Sequence, residues 1–163
     1  MQKPGPIISG VMLIVLLALP QLIGYLGASM TFISVESWYP TLNKPPLTPP
    51  SWTFGVAWTT LYLLMGLASW LVWRSAGGIF RALPAFAIYF AQLGLNLAWS
   101  YFFFGRQEPL AGLIDIALLA AAILLTIILF WRVNRVAGAL MLPYLAWVLF
   151  ATYLNAGFVV LNG

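Results

Sequence analysis

The chain contains no cysteine and no histidine in its 163 residues. Without cysteine there are no disulfides and no thiolate metal sites. Without histidine there are no imidazole ligands and no imidazole base titrating near neutral pH. Charge is scarce as well: 6% of residues are charged, against about a quarter in a typical soluble domain. No nucleophile sits beside a base and no metal-ligating set is visible, so neither a conventional active site nor a required cofactor is expected.

What is present is oil, with 63% of residues hydrophobic. The seven basic residues are scattered at the ends of apolar runs. That is how loop charges orient a membrane protein, whereas nucleic-acid binding needs them clustered on one face. Five apolar stretches approach the ~20 residues that a spanning helix requires: 7–27, 52–73, 83–104, 110–131 and 139–161. The segment from Lys3 to Ser29 has the outline of a secretory signal, but its apolar run continues past Pro20 to about Gly27, so a retained helix is expected. Gly77-Gly78, the turn from Gly105 to Pro109 and that from Val133 to Gly138 separate the later stretches. Short connectors imply antiparallel neighbours. The expected fold is therefore all-α, a single membrane domain over residues 1–163 built as a bundle of five transmembrane helices, with residues 28–51 as one long loop.

By side, Lys3, Arg74, Arg81, Arg132 and Arg135 oppose Lys44 and Arg106, which places the amino terminus inside. Trp38, Trp52, Trp73 and Trp131 lie at span ends, where amphipathic rings anchor in the headgroup zone. Trp58, Trp99 and Trp147 lie within spans and need another explanation. Asp115 falls about two turns from the start of the fourth span, where it could be a proton or substrate site, but it is near enough to the interface and to Arg106 that pairing or snorkelling is expected.

The third span is two-sided. Gln92, Asn96 and Trp99 share one face, while Ala87, Ala91, Gly94 and Ala98 form another about 140° away at 100° per residue. Small residues let a second helix approach closely, within the chain or from a second subunit. The polar face is expensive against lipid and is expected to point into the bundle. There it serves either as interhelical hydrogen-bond glue or as ligand contacts. The fifth span adds Tyr144, Trp147, Ala151 and Asn155, and the second adds Trp58 and Tyr62. Three helices offering rings and amides to one interior exceed what a packed core needs. They suit a flat, conjugated, mostly apolar ligand.

Four segments carry a resemblance: "WYPTLNKPPLTPPSW" from Trp38, "AWTTLY" in the second span, "LNLAWSYFFFG" ending the third, and "LPYLAWVLFATYLN" in the fifth. In this order over residues 38–155 they resemble the tryptophan-rich sensory protein (TspO) family, which includes the mitochondrial translocator protein or peripheral benzodiazepine receptor. The resemblance implies a five-helix, usually dimeric bacterial-type protein of the cell membrane. Its pocket would take porphyrins, protoporphyrin IX or haem, and isoquinoline carboxamide or benzodiazepine ligands, with the first loop as a lid. Carried over, the pocket residues are Tyr39, Pro50, Trp58, Tyr62, Asn96, Trp99, Tyr144 and Trp147. Gln92 and Ala151 join them on their helix faces, and Ala87, Ala91, Gly94 and Ala98 become the dimer face. The resemblance further implies light-dependent porphyrin degradation at Trp58 and Trp147. The sterol-recognition tyrosine and arginine of animal members fall on Ala156 and Val160, which puts sterol binding in doubt.

Two rival readings stand beside a porphyrin sensor or carrier: a small-molecule transporter, and a structural membrane protein organised through the small-residue face. The proline-rich segment, with five prolines, is pre-ordered without helix or sheet. Tyr39 and Pro50 would bring it to a pocket mouth, and Lys44 would meet either a propionate or lipid headgroups.

Overall fold

The computed structural model describes residues 5–163; Lys3, used in the charge count, lies outside them. Helix α1 (Pro6–Ser37) starts with proline in its first turn, where a missing N–H costs nothing. It then runs ten residues beyond the expected boundary at Gly27. No proline interrupts residues 28–37, so the helix propagates until Pro40 disfavours helical geometry at Tyr39. A 3-10 turn, Tyr39–Thr41, follows. The expected lid over 28–51 is therefore half helix, and only residues 42–50 form an irregular strap.

Helix α2 (Ser51–Ala76) ends where Gly77 adopts φ 79° and both Gly77 and Gly78 donate to the Trp73 carbonyl, at 2.9 and 3.0 Å. Helix α3 (Leu83–Ser100) passes directly into a π-helical turn, Tyr101–Gly105. Helix α4 spans Pro109–Val133. The fifth span, expected as one helix over 139–161, comes in two pieces: α5 (Arg135–Leu140) and α6 (Leu142–Asn162). Pro143 explains the break, because it lacks an N–H and restricts Leu142. Asn134 secures the junction, capping α5 at the Ala137 N–H (3.1 Å) and donating to Ser75 Oγ on α2 (2.9 Å). Five segments among the described residues are long and apolar enough to cross a membrane.

Pro20 inside α1 leaves the Leu16 carbonyl without its helical donor. Gly66 of α2 packs directly on it: a Cβ there would stand 2.7 Å from the Leu16 oxygen and from Leu17 Cα. Trp70 Nε1 donates to the Ser9 carbonyl at 3.0 Å in the same seam. Around this end the core is close-packed, with Met65, Val72, Phe86, Tyr89, Phe130 and Met141 fully buried. Tyr89 stacks on Phe130 with centroids 5.5 Å apart.

Gln92 and Asn96 face the bundle interior. Along Ala87, Ala91 and Gly94 the small-residue face of α3 is exposed and packs on no helix among the described residues, and a Cβ on Gly94 would meet nothing within 4 Å. Asp115 corrects the expected pairing. Arg106 instead bonds Glu108 at 2.9 Å across the tight turn at Gln107 (φ 57°). Asp115, 6% exposed, lies inside the bundle with Oδ2 unpartnered. Its one-methylene side chain cannot reach out from that face.

Candidate functional site

At the other end of the bundle the same helices surround a cavity of about 450 Å³. Helix α1 supplies Gln21, Gly24, Tyr25 and Ala28, and α2 supplies Phe54, Trp58 and Tyr62. From α3 and its π-turn come Asn96, Trp99, Phe103 and Phe104. From α6 come Ala151, Leu154, Asn155 and Phe158, with Tyr39 closing the loop end. The π-turn matters here, since inserting a residue into the helical register lets consecutive Phe103 and Phe104 both reach the wall. Ser34 ties the extended part of α1 to this turn by donating to the Phe104 carbonyl at 2.6 Å.

Rings dominate the wall. Trp58 stacks on Tyr62 (5.5 Å, 25°) and Trp99 on Phe103 (5.4 Å, 22°), with Trp58 and Trp99 6.5 Å apart. A directional chain of hydrogen bonds holds them. The Tyr62 hydroxyl donates to Asn96 Oδ1 (2.7 Å), Asn96 Nδ2 donates to the Tyr144 oxygen (3.1 Å), and the Tyr144 hydroxyl donates to Gln92 Oε1 (2.9 Å). A second tie runs from Trp99 Nε1 to Asn155 Oδ1 (3.0 Å), while Asn155 Nδ2 donates to the Pro109 carbonyl (2.7 Å). Gly112 makes room for it, since a Cβ there would come 3.1 Å from Asn155 Oδ1. Among the described residues no charged side chain lines the cavity. The wall is a neutral, internally bonded surface that fixes ring orientation.

Of the residues singled out in the sequence, Tyr39, Trp58, Tyr62, Asn96, Trp99 and Ala151 line the cavity together. Gln92 and Tyr144 lie one layer deeper, within the hydrogen-bonded chain. Pro50 is exposed at the start of α2. Trp147 stands apart: it borders a shallow outer groove between α2 and α6 rather than the cavity, and meets the ring of the cavity-lining Phe54 edge-on at 5.9 Å. Its Nε1 is buried without an acceptor.

Sequence reasoning missed the whole contribution of α1. The signal was present in Gly24, Gly27, Ala28 and Thr31, small residues at helical spacing along one face. Gly24 lies so close to Tyr62 that a Cβ would come 2.3 Å from the ring. Phe54, Phe103 and Phe104 were also missed, because a phenylalanine in a membrane span carries no sign of which way it faces.

The strap over the loop end is docked on α6. The Asn43 N–H donates to Asn162 Oδ1 (2.8 Å) and Asn162 Nδ2 returns to the Asn43 carbonyl (3.0 Å). The Tyr153 hydroxyl donates to the Pro46 carbonyl at 3.2 Å. Pro45 packs onto Gly157, where a Cβ would come 2.5 Å from Pro45 Cβ. Beneath it the Tyr39 ring is buried against Phe104 and Phe158. Burial pushes the Tyr39 phenol pKa above its ordinary value.

The model of the TspO/MBR family matches residues 16–161. The chain belongs to the TspO/MBR family. It is 46% identical over 140 residues to the tryptophan-rich protein TspO of Archaeoglobus fulgidus, covering 86% of this chain and 90% of that one. The bovine translocator protein is 39% identical over 138 residues, 84% and 82% of the two chains. The tryptophan-rich sensory protein of Cereibacter sphaeroides is 38% identical over 120 residues, 74% and 73%. Family membership and five apolar helices together make this a multi-pass membrane protein whose relatives are named for translocation and sensing.

Proposed function

We propose that this family member binds tetrapyrroles, protoporphyrin IX or haem, in the aromatic cavity, and senses them or passes them on through the membrane. The observation that carries the reading is the wall itself. A space of about 450 Å³ lies within the usual range for ligand sites of ~300–1,000 Å³, and stacked indole and phenol rings with bonded amides favour a flat, conjugated ring system. Isoquinoline carboxamide and benzodiazepine ligands share that shape and use the same wall.

Trp58 and Trp99 are the indoles stacked at the wall; in this reading Trp58 is the one against which a photoexcited porphyrin is quenched and through which light-dependent loss of porphyrin runs. Trp147 acts from behind Phe54. The face of α3 with exposed Ala87, Ala91 and Gly94 and half-buried Ala98 is the dimer contact in this reading. In this reading the amino terminus lies on the inner side of the cell membrane, with Arg74, Arg81, Arg132 and Arg135 on that side.

The test is a protoporphyrin IX titration of the purified protein, in darkness and in light, followed by tryptophan fluorescence and porphyrin absorbance. Saturable quenching that weakens in Trp58→Phe is expected. Absence of saturable quenching would remove the tetrapyrrole reading.

A further inference from the structure

We propose that the end of the bundle away from the cavity carries a second binding site, for the phosphate of an anionic phospholipid, clasped by Arg74, Arg81, Arg132 and Arg135.

The geometry brings these arginines together from two turns. Arg74 and Arg132 lie in the last turns of α2 and α4, Arg81 lies just before α3, and Arg135 opens α5. All four residues are exposed. The bond from Asn134 Nδ2 to Ser75 Oγ, at 2.9 Å, holds the two turns side by side, and Arg74 adjoins Ser75 as Arg135 adjoins Asn134. Arg81 folds back over the end of α2, its Nη1 2.9 Å from where a Cβ of Gly77 would stand. Arg74 lies over the Trp70 ring, 5.1 Å from its centroid, and that ring is itself fixed by its bond to the Ser9 carbonyl.

Nothing at this end balances the charge. The chain has three acids: Glu36 and Glu108 lie at the cavity end, and Asp115 lies near that same end of α4. Among the described residues, the only arginine whose side chain makes a hydrogen bond or an ion pair within the chain is Arg106. Helix dipoles do not help either. Helices α2 and α4 end here while α1 and α3 begin here, so their partial charges cancel. Each guanidinium offers a planar fork of N–H donors that matches two oxygens of a phosphate. Four such forks converge with no anion of their own chain to meet.

The surroundings favour a lipid over a soluble phosphate. Arg81 follows Phe80, which is 88% exposed, Arg132 follows exposed Trp131, and Arg135 precedes exposed Val136. Arginine interleaved with outward-facing apolar side chains fits the level where headgroup phosphates meet acyl chains.

The experiment uses the full chain in detergent, titrated separately with phosphatidylglycerol and phosphatidylcholine, and reads retained lipid by native mass spectrometry. Expected is saturable retention of phosphatidylglycerol well above phosphatidylcholine, undisturbed by excess inorganic phosphate. Arg135→Gln should weaken it by about five-fold, the ~1 kcal/mol of one basic residue at an anionic surface. Arg106→Gln, which removes a basic residue from the cavity end, should leave it unchanged. Arg132→Lys combined with Arg135→Lys keeps the charge, loses the fork and should still weaken retention. These positions make no side-chain bond within the described chain, and unchanged thermal unfolding without lipid confirms that the variants fold. Equal retention of the two lipids, or equal losses in Arg106→Gln and Arg135→Gln, would overturn the site. Full retention by the lysine pair would replace the clasp with diffuse attraction. Displacement by inorganic phosphate would overturn the choice of a lipid.

Discussion

The two ends of the bundle are made by the same helices and do opposite things with them. At the end around Gly66, Tyr89 and Phe130, α1 meets α2 at backbone distance and large side chains close every gap. At the end around Trp58 and Trp99, the same α1 and α2 present small residues and rings to a cavity. Tyr62, Asn96, Tyr144 and Gln92 lie at the border, joining three helices through polar bonds. In a bilayer this division has a physical logic. Helices there associate by close packing rather than by a hydrophobic drive, so a cavity at one end needs dense contact at the other. Polar bonds are the means of holding rings at fixed angles without filling the space between them.

Breaking the dense end should have the largest effect. Gly66→Val forces side-chain atoms onto the Leu16 carbonyl and Leu17 Cα, neither of which can swing aside, and is expected to cost about 3 kcal/mol, the upper range of overpacking. Thermal unfolding in detergent measures it; a stability within error of wild type would mean that α1 does not depend on this contact. The border comes next. Asn96→Leu strands the Tyr62 hydroxyl and removes the donor to the Tyr144 oxygen, which keeps its own bond to Gln92, and should lower stability by about 1–2 kcal/mol. It should also loosen ligand binding, which separates a positioning role from packing alone.

At the open end, Trp58→Ala should weaken protoporphyrin IX by about ten-fold with little change in unfolding temperature, through the loss of one stacked ring. Trp147→Phe, behind Phe54, should stay within about two-fold of wild type. Equal losses at the two positions, read by porphyrin absorbance, would show that the cavity extends past Phe54. The smallest effect is expected at the strap. Asn162→Ala removes its paired bonds to Asn43 and should cost about 1 kcal/mol locally. Faster hydrogen exchange around residues 42–44, with the core amides unchanged, is the readout.

Much of the architecture was legible in the linear pattern. Apolar runs of spanning length have one stable form in a bilayer, where every backbone group must be satisfied internally. The spacing of Gln92, Asn96 and Trp99 identifies an inward face for the same reason, because amides facing lipid are costly. The α1 wall was harder to read. Gly24 and Ala28 are marked only by the absence of side chain, and a small residue looks the same whether it accepts a neighbouring helix or leaves room for a ligand. Gly66 accepts the Leu16 carbonyl, Gly24 accepts the Tyr62 ring, and Gly94 accepts nothing among the described residues.

By itself, then, the sequence determined that this is a five-span membrane bundle without histidine or thiol chemistry, with amides and indoles directed inward. Those outcomes follow from hydropathy, periodicity and composition, which act locally along the chain. Only the tertiary structure decided that α1 runs on to Ser37 and walls the cavity, that the strap docks on Asn162, that Asp115 is buried away from Arg106, and that Trp147 meets the cavity-lining Phe54 rather than the cavity. Each depends on which helices stand beside one another and at what depth. Such choices are settled by how side chains far apart in sequence fit together on contact, and no local pattern records them.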